Sequence, residues 1–279
     1  MKFVSYIKII RPFNFFFVII SVLFGAFWFA KGIHQFIPYL ASLSAALIAS
    51  GGYVINDFFD SDIDKINRPE RPIPSGIISP LNAKRYAFLL FTGGIVISIC
   101  IKNPWIILLA IGNSFLLYLY AYRGKKLEFL GNILVAFVTG STFIYGGLAN
   151  NNIGNSLFVF GCAFLYTIIR ELVKDLEDIE GDKMIGALTV PIVFGEKITF
   201  VLTFLSWVFL TILTVLGFHK FYEFPIFILI IVLCDAYLLV NLLILFLKMS
   251  KKVAGTSEKL MKIDMLLCLI LLWVGQWIR

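Results

Sequence analysis

The chain of 279 residues is 60% hydrophobic and only 15% charged, and its mean hydropathy is +0.93. Soluble proteins average about 25% charged residues, so this composition excludes a pair of soluble domains and favours helices that span a lipid bilayer. The net charge of +7 is accounted for by membrane topology and by attraction to anionic lipid head groups. It therefore requires no nucleic-acid partner.

Taken in chain order, the apolar runs predict an all-α polytopic membrane bundle of about nine transmembrane helices. Each run is long enough to cross the hydrocarbon core of a bilayer. The runs lie at about 14–31, 35–57, 84–101, 104–122, 129–149, 155–173, 197–217, 224–247 and 262–278. We expect residues 1–279 to form a single domain with two pseudo-repeated halves, whose Asp-rich segments lie near 56–64 and 174–182.

The distribution of basic residues predicts the orientation of this bundle. Of the 24 Lys and Arg residues, 20 fall on the side of the N-terminus when each run crosses the membrane once. The four on the other side are Lys31, Lys102, Lys220 and Arg279. Because cytoplasmic loops are enriched in Lys and Arg, we expect a multi-pass protein of the cell membrane whose N-terminus and active site face the cytoplasm.

The two Asp-rich segments repeat the same spacing. They contain Asp57, Asp60 and Asp64 in the first motif and Asp175, Asp178 and Asp182 in the second. On an α-helix, offsets of three and seven residues fall within an arc of about 60°, so the three carboxylates share one face, whereas Asp62 lies off it. Carboxylates this close repel one another unless a cation lies between them. Mg²⁺ and the phosphates of a substrate are the expected partners.

Basic residues accompany both motifs. Three prolines within six residues follow the first motif and predict a rigid loop that presents Arg68 and Arg71. Guanidinium groups bind phosphate oxygens, but these residues also serve membrane topology. The same two interpretations apply to Tyr122 and Lys126, which end the fourth apolar run. Lys174 precedes the second motif and can reach a bridging phosphate from the side of the helix.

Both motifs resemble the two signatures of the UbiA superfamily of intramembrane prenyltransferases. The first resemblance covers 55–64 and continues through Asn67-Arg68-Pro69 and Arg71-Pro72, and the second covers 174–182. It implies nine helices around a central cavity that faces the cytoplasm, and six aspartates that hold Mg²⁺ and act in catalysis. With the basic residues near the motifs, the expected ligands of the substrate diphosphate or phosphate are Arg11, Asn14, Asn56, Asn67, Arg68, Arg71, Tyr122, Lys126 and Lys174.

Within that superfamily, the stretch from Arg170 to Lys197 is similar to archaeal enzymes of ether-lipid synthesis. This likeness implies transfer of a geranylgeranyl group from geranylgeranyl diphosphate to the free hydroxyl of geranylgeranylglyceryl phosphate, which forms the second ether bond of archaeal membrane lipids. One alternative is a related prenyltransferase with an aromatic quinone precursor as acceptor. A metal-ion transporter is a further alternative, although transporters usually place ionisable residues near the membrane midplane.

Overall fold

The computed structural model describes residues 2–30, 36–123, 127–184, 186–221, 225–248 and 250–277, without the side chains of 2, 63, 66, 67, 218–221 and 225. All regular elements in these ranges are helices. The first six are α1 (Lys2–Ile9), α2 (Pro12–Phe27), α3 (Ile37–Phe59), α4 (Ser61–Asn67), α5 (Pro80–Ile101) and α6 (Pro104–Arg123). The next six are α7 (Phe129–Ala149), α8 (Ile153–Met184), α9 (Val190–Val193), α10 (Glu196–Phe221), α11 (Pro225–Leu247) and α12 (Lys251–Gly275).

Local sequence explains where several of these helices begin. Proline stands in the first turn of α2, α3 and α5, where its missing N–H breaks no hydrogen bond. Ser79 caps α5 because its hydroxyl accepts from the Asn82 N–H at 3.3 Å. At the start of α6, the Asn103 side chain accepts from the Trp105 N–H at 3.0 Å.

Seven described helices are long and apolar enough to cross a membrane, namely α3, α5, α6, α7, α8, α10 and α11. The bent pair α1 and α2, which meet at 50°, raises the number to eight if the pair forms one span. The predicted number of nine is therefore not confirmed. The ninth apolar run falls in α12, whose helical part also contains the charged residues Glu258, Lys259, Lys262 and Asp264.

The described residues of 1–124 and 141–157 form one compact unit. Its most buried spanning helix is α3, which packs against α2, α5 and α6. Small residues allow this close approach, since Ala41 and Ala46 of α3 are fully buried. On α7, a side chain at Gly146 would overlap the Val22 carbonyl of α2, so the two backbones lie in direct contact.

The described residues of 125–140 and 158–279 form a second compact unit. Its main core joins α8 to α10, α11 and α12. The buried side chains of this core are Ile169, Val173, Leu176, Leu210, Leu238, Leu242, Leu245, Ala254 and Met261. The second Asp motif therefore lies on a helix whose opposite side is anchored in an apolar core.

The two Asp motifs differ in their backbone. The second motif lies within the continuous helix α8, as its spacing predicts. In the first motif, α3 ends at Phe59, and Asp60 joins it to α4 with φ −83° and ψ 1°. The first motif is therefore helical on both sides of a break at Asp60. The hydrogen bond from the Asp64 N–H to the Asp60 carbonyl, at 2.9 Å, nevertheless keeps the α-helical bonding pattern between these two residues.

Candidate active site

Two carboxylates of the first Asp motif bind the guanidinium of Arg71. Its Nη1 donates to Oδ2 of Asp64 at 2.5 Å and to Oδ1 of Asp57 at 3.3 Å. A second guanidinium, that of Arg11, donates to the same Asp57 oxygen at 2.8 Å. Both aspartate side chains are 8% exposed, whereas that of Asp62 is 88% exposed. The structure thus separates two buried acids from an exposed neighbour, in agreement with the predicted face.

The loop after α4 folds back to deliver Arg71. The Arg71 N–H donates to the Arg68 carbonyl at 3.0 Å, and the Ile78 N–H donates to the Pro72 carbonyl at 2.9 Å. Ile73 and Ile78 are buried and fix the loop to the apolar core of the first unit. Because the loop is anchored, the Arg71 side chain loses little conformational entropy when a ligand binds.

Arg11 occupies a different kind of position, at the bend between α1 and α2. It adopts a left-handed conformation with φ 55°, which is uncommon for a residue other than glycine. Its guanidinium lies over the Tyr53 ring, 5.1 Å from the centroid, and reaches Asp57 from there. The ring and the carboxylate together hold the arginine beside the motif.

The remaining predicted phosphate ligands outside the second motif have different surroundings. Asn56 donates to Oδ2 of Asp60 at 2.8 Å. The exposed Tyr122 packs its ring on Phe59, with centroids 5.4 Å apart, so it lies next to the end of α3. Arg68 is exposed on the loop, and Asn14 is half-buried in the first turn of α2. Lys126 and the side chain of Asn67 lie outside the described part of the chain.

The second Asp motif follows one side of α8. Asn132 of α7 donates to Oδ2 of Asp175 at 2.8 Å. Asp178 is half-buried and Asp182 is buried near the end of the helix, where its carbonyl accepts from the Ala187 N–H at 2.9 Å. The motif therefore combines buried and accessible carboxylates, which suits the binding of a charged ligand.

The basic residues before this motif are already paired with acids. Lys174 donates to Oε2 of Glu171 at 3.4 Å, and Arg170 contacts the other oxygen of Glu171. Arg170 also donates to Glu258 of α12 at 2.9 Å. Both glutamates are almost fully buried. Because a buried carboxylate needs a cationic partner, these pairs restrict where Lys174 can lie.

Four of these residues are absent from the predicted site, namely Asn132, Arg170, Glu171 and Glu258. Asn132 stands within the apolar run 129–149, where a polar side chain is a usable signal of a helix-to-helix hydrogen bond, and in the structure its acceptor is Asp175. Glu171 lies four residues before Asp175, so its helical spacing was a usable signal. Glu258 offers no such signal because α12 is distant in the chain.

The donor set of each motif is suitable for a hard cation. Carboxylate oxygens are the ligands that Mg²⁺ prefers, and the buried Asp57 and Asp64 need positive charge between them. In the structure Arg71 supplies that charge. Among the residues that the structure describes, no three His, Cys, Asp or Glu side chains already converge as a metal site.

These observations define a class of protein: an all-helical membrane protein with two Asp motifs of equal spacing. Residues 18–266 match the model of the UbiA prenyltransferase family, and the chain belongs to that family. It is 35% identical to the digeranylgeranylglyceryl phosphate synthase of Thermococcus kodakarensis over 100% of both chains. It is 37% identical to the enzyme of the same name from Methanobrevibacter smithii over 97% of each.

Solved structures agree with this assignment. A structure from work on digeranylgeranylglyceryl phosphate synthase in membranes has a TM-score of 0.82 and 33% identity, over 98% of each chain. A UbiA homologue from Archaeoglobus fulgidus bound to GPP and Mg²⁺ has a TM-score of 0.73 and 19% identity, over 97% of this chain and 99% of that one. The second likeness concerns the fold alone.

Proposed function

We propose that this chain transfers a geranylgeranyl group from geranylgeranyl diphosphate to the free hydroxyl of geranylgeranylglyceryl phosphate, with Mg²⁺ as cofactor. The observation that carries the proposal is the 35% identity to the Thermococcus synthase over the whole of both chains. Membership of a prenyltransferase family disfavours the transporter alternative. The names of the relatives favour a glyceryl phosphate over an aromatic acceptor.

The main chemical task is to stabilise the leaving diphosphate. Breaking the bond between the allylic carbon and the diphosphate oxygen places negative charge on the leaving group, so electrostatic stabilisation should dominate. Mg²⁺, held by the six motif aspartates, supplies positive charge to the diphosphate when it is bound. Arg71, Arg11 and Lys174 supply further positive charge, because guanidinium and ammonium groups bind phosphate oxygens. The remaining proposed phosphate ligands are Asn14, Asn56, Asn67, Arg68, Tyr122 and Lys126.

The contacts around the motifs orient these groups before substrate arrives. Asn56 restrains Asp60, and Asn132 restrains Asp175, each through a hydrogen bond of 2.8 Å. Partners of this kind fix the direction of a carboxylate and strengthen its hold on a cation. The paired arginines at Asp57 are likewise positioned in advance. These side chains therefore need little reorientation when the leaving group forms.

The acceptor completes the reaction. Its hydroxyl oxygen attacks the allylic carbon and forms the ether bond, and the departing diphosphate takes the hydroxyl proton. Water would trap the allylic cation, so the isoprenoid should react among apolar helices. We infer a single domain with a central cavity that faces the cytoplasm, in the cell membrane. The excess of Lys and Arg on the side of the N-terminus supports the cytoplasmic orientation.

A direct assay tests the proposal. Purified protein in detergent receives Mg²⁺ and geranylgeranyl diphosphate, with geranylgeranylglyceryl phosphate and 4-hydroxybenzoate offered in parallel. We expect product with the glyceryl phosphate alone, and none when EDTA removes the metal. Product with the aromatic acceptor alone would still identify a prenyltransferase, but it would contradict the proposed acceptor. Turnover that survives EDTA would contradict the role of Mg²⁺.

A further inference from the structure

A polar seam joins α12 to the helix that carries the second Asp motif. From one end to the other, its contacts are Lys251 to Glu180 at 3.2 Å, Gly255 against the Glu177 side chain, Glu258 to Arg170 at 2.9 Å and Asp264 to Tyr166 at 2.7 Å. Residue numbers rise along α12 while they fall along α8, so the two helices run antiparallel. The seam therefore extends from the second motif towards the start of α8.

Near the middle of this seam, three cations share two buried carboxylates. Arg170 contacts both Glu171 and Glu258. Lys174 takes the remaining oxygen of Glu171 at 3.4 Å, and Lys262 contacts Glu258 at 2.6 Å. Burying two carboxylates is costly unless both are paired, so each of these contacts constrains the next.

The two acids divide the guanidinium of Arg170 between them. Its Nη1 bonds Glu258, and its Nη2 bonds one oxygen of Glu171. That leaves Oε2 of Glu171 for Lys174. If Glu258 were neutral, Arg170 would be able to turn its whole fork onto Glu171, because guanidinium and carboxylate groups prefer the bidentate arrangement. Lys174 would then lose Oε2 of Glu171 as an acceptor.

The exposure of these groups shows what the network presents to a ligand. The Glu171 side chain is 6% exposed, whereas that of Lys174 is 42% exposed. The counter-charge is thus buried while the ammonium reaches an accessible surface beside Asp175. A cation held in this way retains the capacity to bind phosphate.

We propose that Glu258 is a positioning residue for the diphosphate site. Acting through Arg170 and Glu171, it holds the Lys174 ammonium beside the second Asp motif. The proposal rests on the proposed function, in which Lys174 binds the diphosphate. Glu258 itself contacts no motif aspartate in the described contacts, so its effect must pass through its neighbours.

The test compares Glu258→Gln with Lys251→Ala. Both changes remove an ion pair between α12 and α8, but the Lys251 pair is exposed and its partner, Glu180, lies six residues after Lys174 in the chain. For Glu258→Gln we expect a rise of about tenfold in both the KM for geranylgeranyl diphosphate and its Kd measured without acceptor, with kcat changed by less than about threefold. Lys251→Ala should leave all three values unchanged. A loss of stability alone would lower kcat through fewer active molecules and leave KM and Kd unaltered, which would overturn the proposal.

A double-mutant cycle identifies the route of the effect. In a Lys174→Ala background, Glu258→Gln should add less than about twofold to KM, because the residue through which it acts is gone. Full additivity of the two changes would contradict the proposal.

Arg170→Lys keeps the charge but loses the fork, and it should reproduce the rise in KM and Kd if Glu258→Gln does not fold. A wild-type chain without prenyl transfer would refute the proposed function, whereas active wild type with a normal Kd in both variants would refute only the role of Glu258.

Discussion

Asp62 and Asp64 lie two residues apart, yet the structure places them in opposite environments. The Asp64 side chain is 8% exposed and bonded to Arg71, whereas Asp62 is 88% exposed and bonded only to Lys65 in the described contacts. The helical spacing of the motif predicts this difference, even though the helix breaks at Asp60. The break leaves the turn intact, because the Asp64 N–H still bonds the Asp60 carbonyl.

Replacement of Asp64 and Asp62 by Asn tests this difference. We expect Asp64→Asn to lower kcat/KM by at least about 100-fold, because it removes a buried charge that holds Arg71 and is proposed to bind the cation. The matched Asp62→Asn should stay within about twofold of wild type, since an exposed ion pair contributes little. Steady-state kinetics with both substrates measure the difference. Equal losses in the two variants would contradict the assignment of the motif face.

Asn132 provides a second test at the level of one residue. It donates to Asp175, while Asn113 of α6 donates at the same distance of 2.8 Å to Ser141 of α7, which belongs to neither motif. Asn132→Leu should raise the Mg²⁺ concentration for half-maximal activity by about tenfold, because an oriented carboxylate binds a cation more tightly. Asn113→Leu should not change it. The measurement is a Mg²⁺ titration of initial rates, and an equal shift in both variants would contradict this role.

At the scale of helices, close packing in the first unit depends on small residues. Helix α2 is held in two ways: by hydrogen bonds from Asn152, between α7 and α8, and by the close backbone approach at Gly146 of α7. The Asn152 amide bonds the carbonyls of Gly25, Ala26 and Trp28, which closes the end of α2. A side chain at Gly146 would meet the Val22 carbonyl, whereas Gly112 of α6 has open space around it.

Alanine at Gly146 should therefore destabilise the protein. We expect Gly146→Ala to cost about 1–3 kcal/mol in the free energy of unfolding, because the added methyl group forces two helix backbones apart. Gly112→Ala should be neutral or slightly stabilising, since alanine favours a helix more than glycine does. Thermal unfolding in the same detergent compares the two. A melting temperature for Gly146→Ala equal to that of wild type would show that α2 and α7 are not in backbone contact.

At the scale of the whole molecule, the unequal distribution of Lys and Arg determines the proposed orientation. In a chain whose four native cysteines are replaced, Ser75→Cys in the loop after α4 should react with an impermeant maleimide only from the cytoplasmic side of membrane vesicles. Trp105→Cys, at the start of α6, should react only from the other side, because α5 separates the two positions. Both residues are exposed in the structure. Labelling of both cysteines from one side would overturn the topology.

Apolar length, charge asymmetry and helical spacing are local properties of the chain, so the membrane class, most spanning helices and the two Asp motifs could be predicted without knowledge of the fold. The sequence also predicts a ninth span, which is not confirmed, because its apolar run falls in a helix, α12, that begins among charged residues. Only the tertiary structure showed that Asn132 bonds Asp175, that Arg11 shares Asp57 with Arg71, and that Glu258 holds Arg170. Such contacts join residues distant in sequence, so they depend on how the helices pack, and no periodicity in the chain records them.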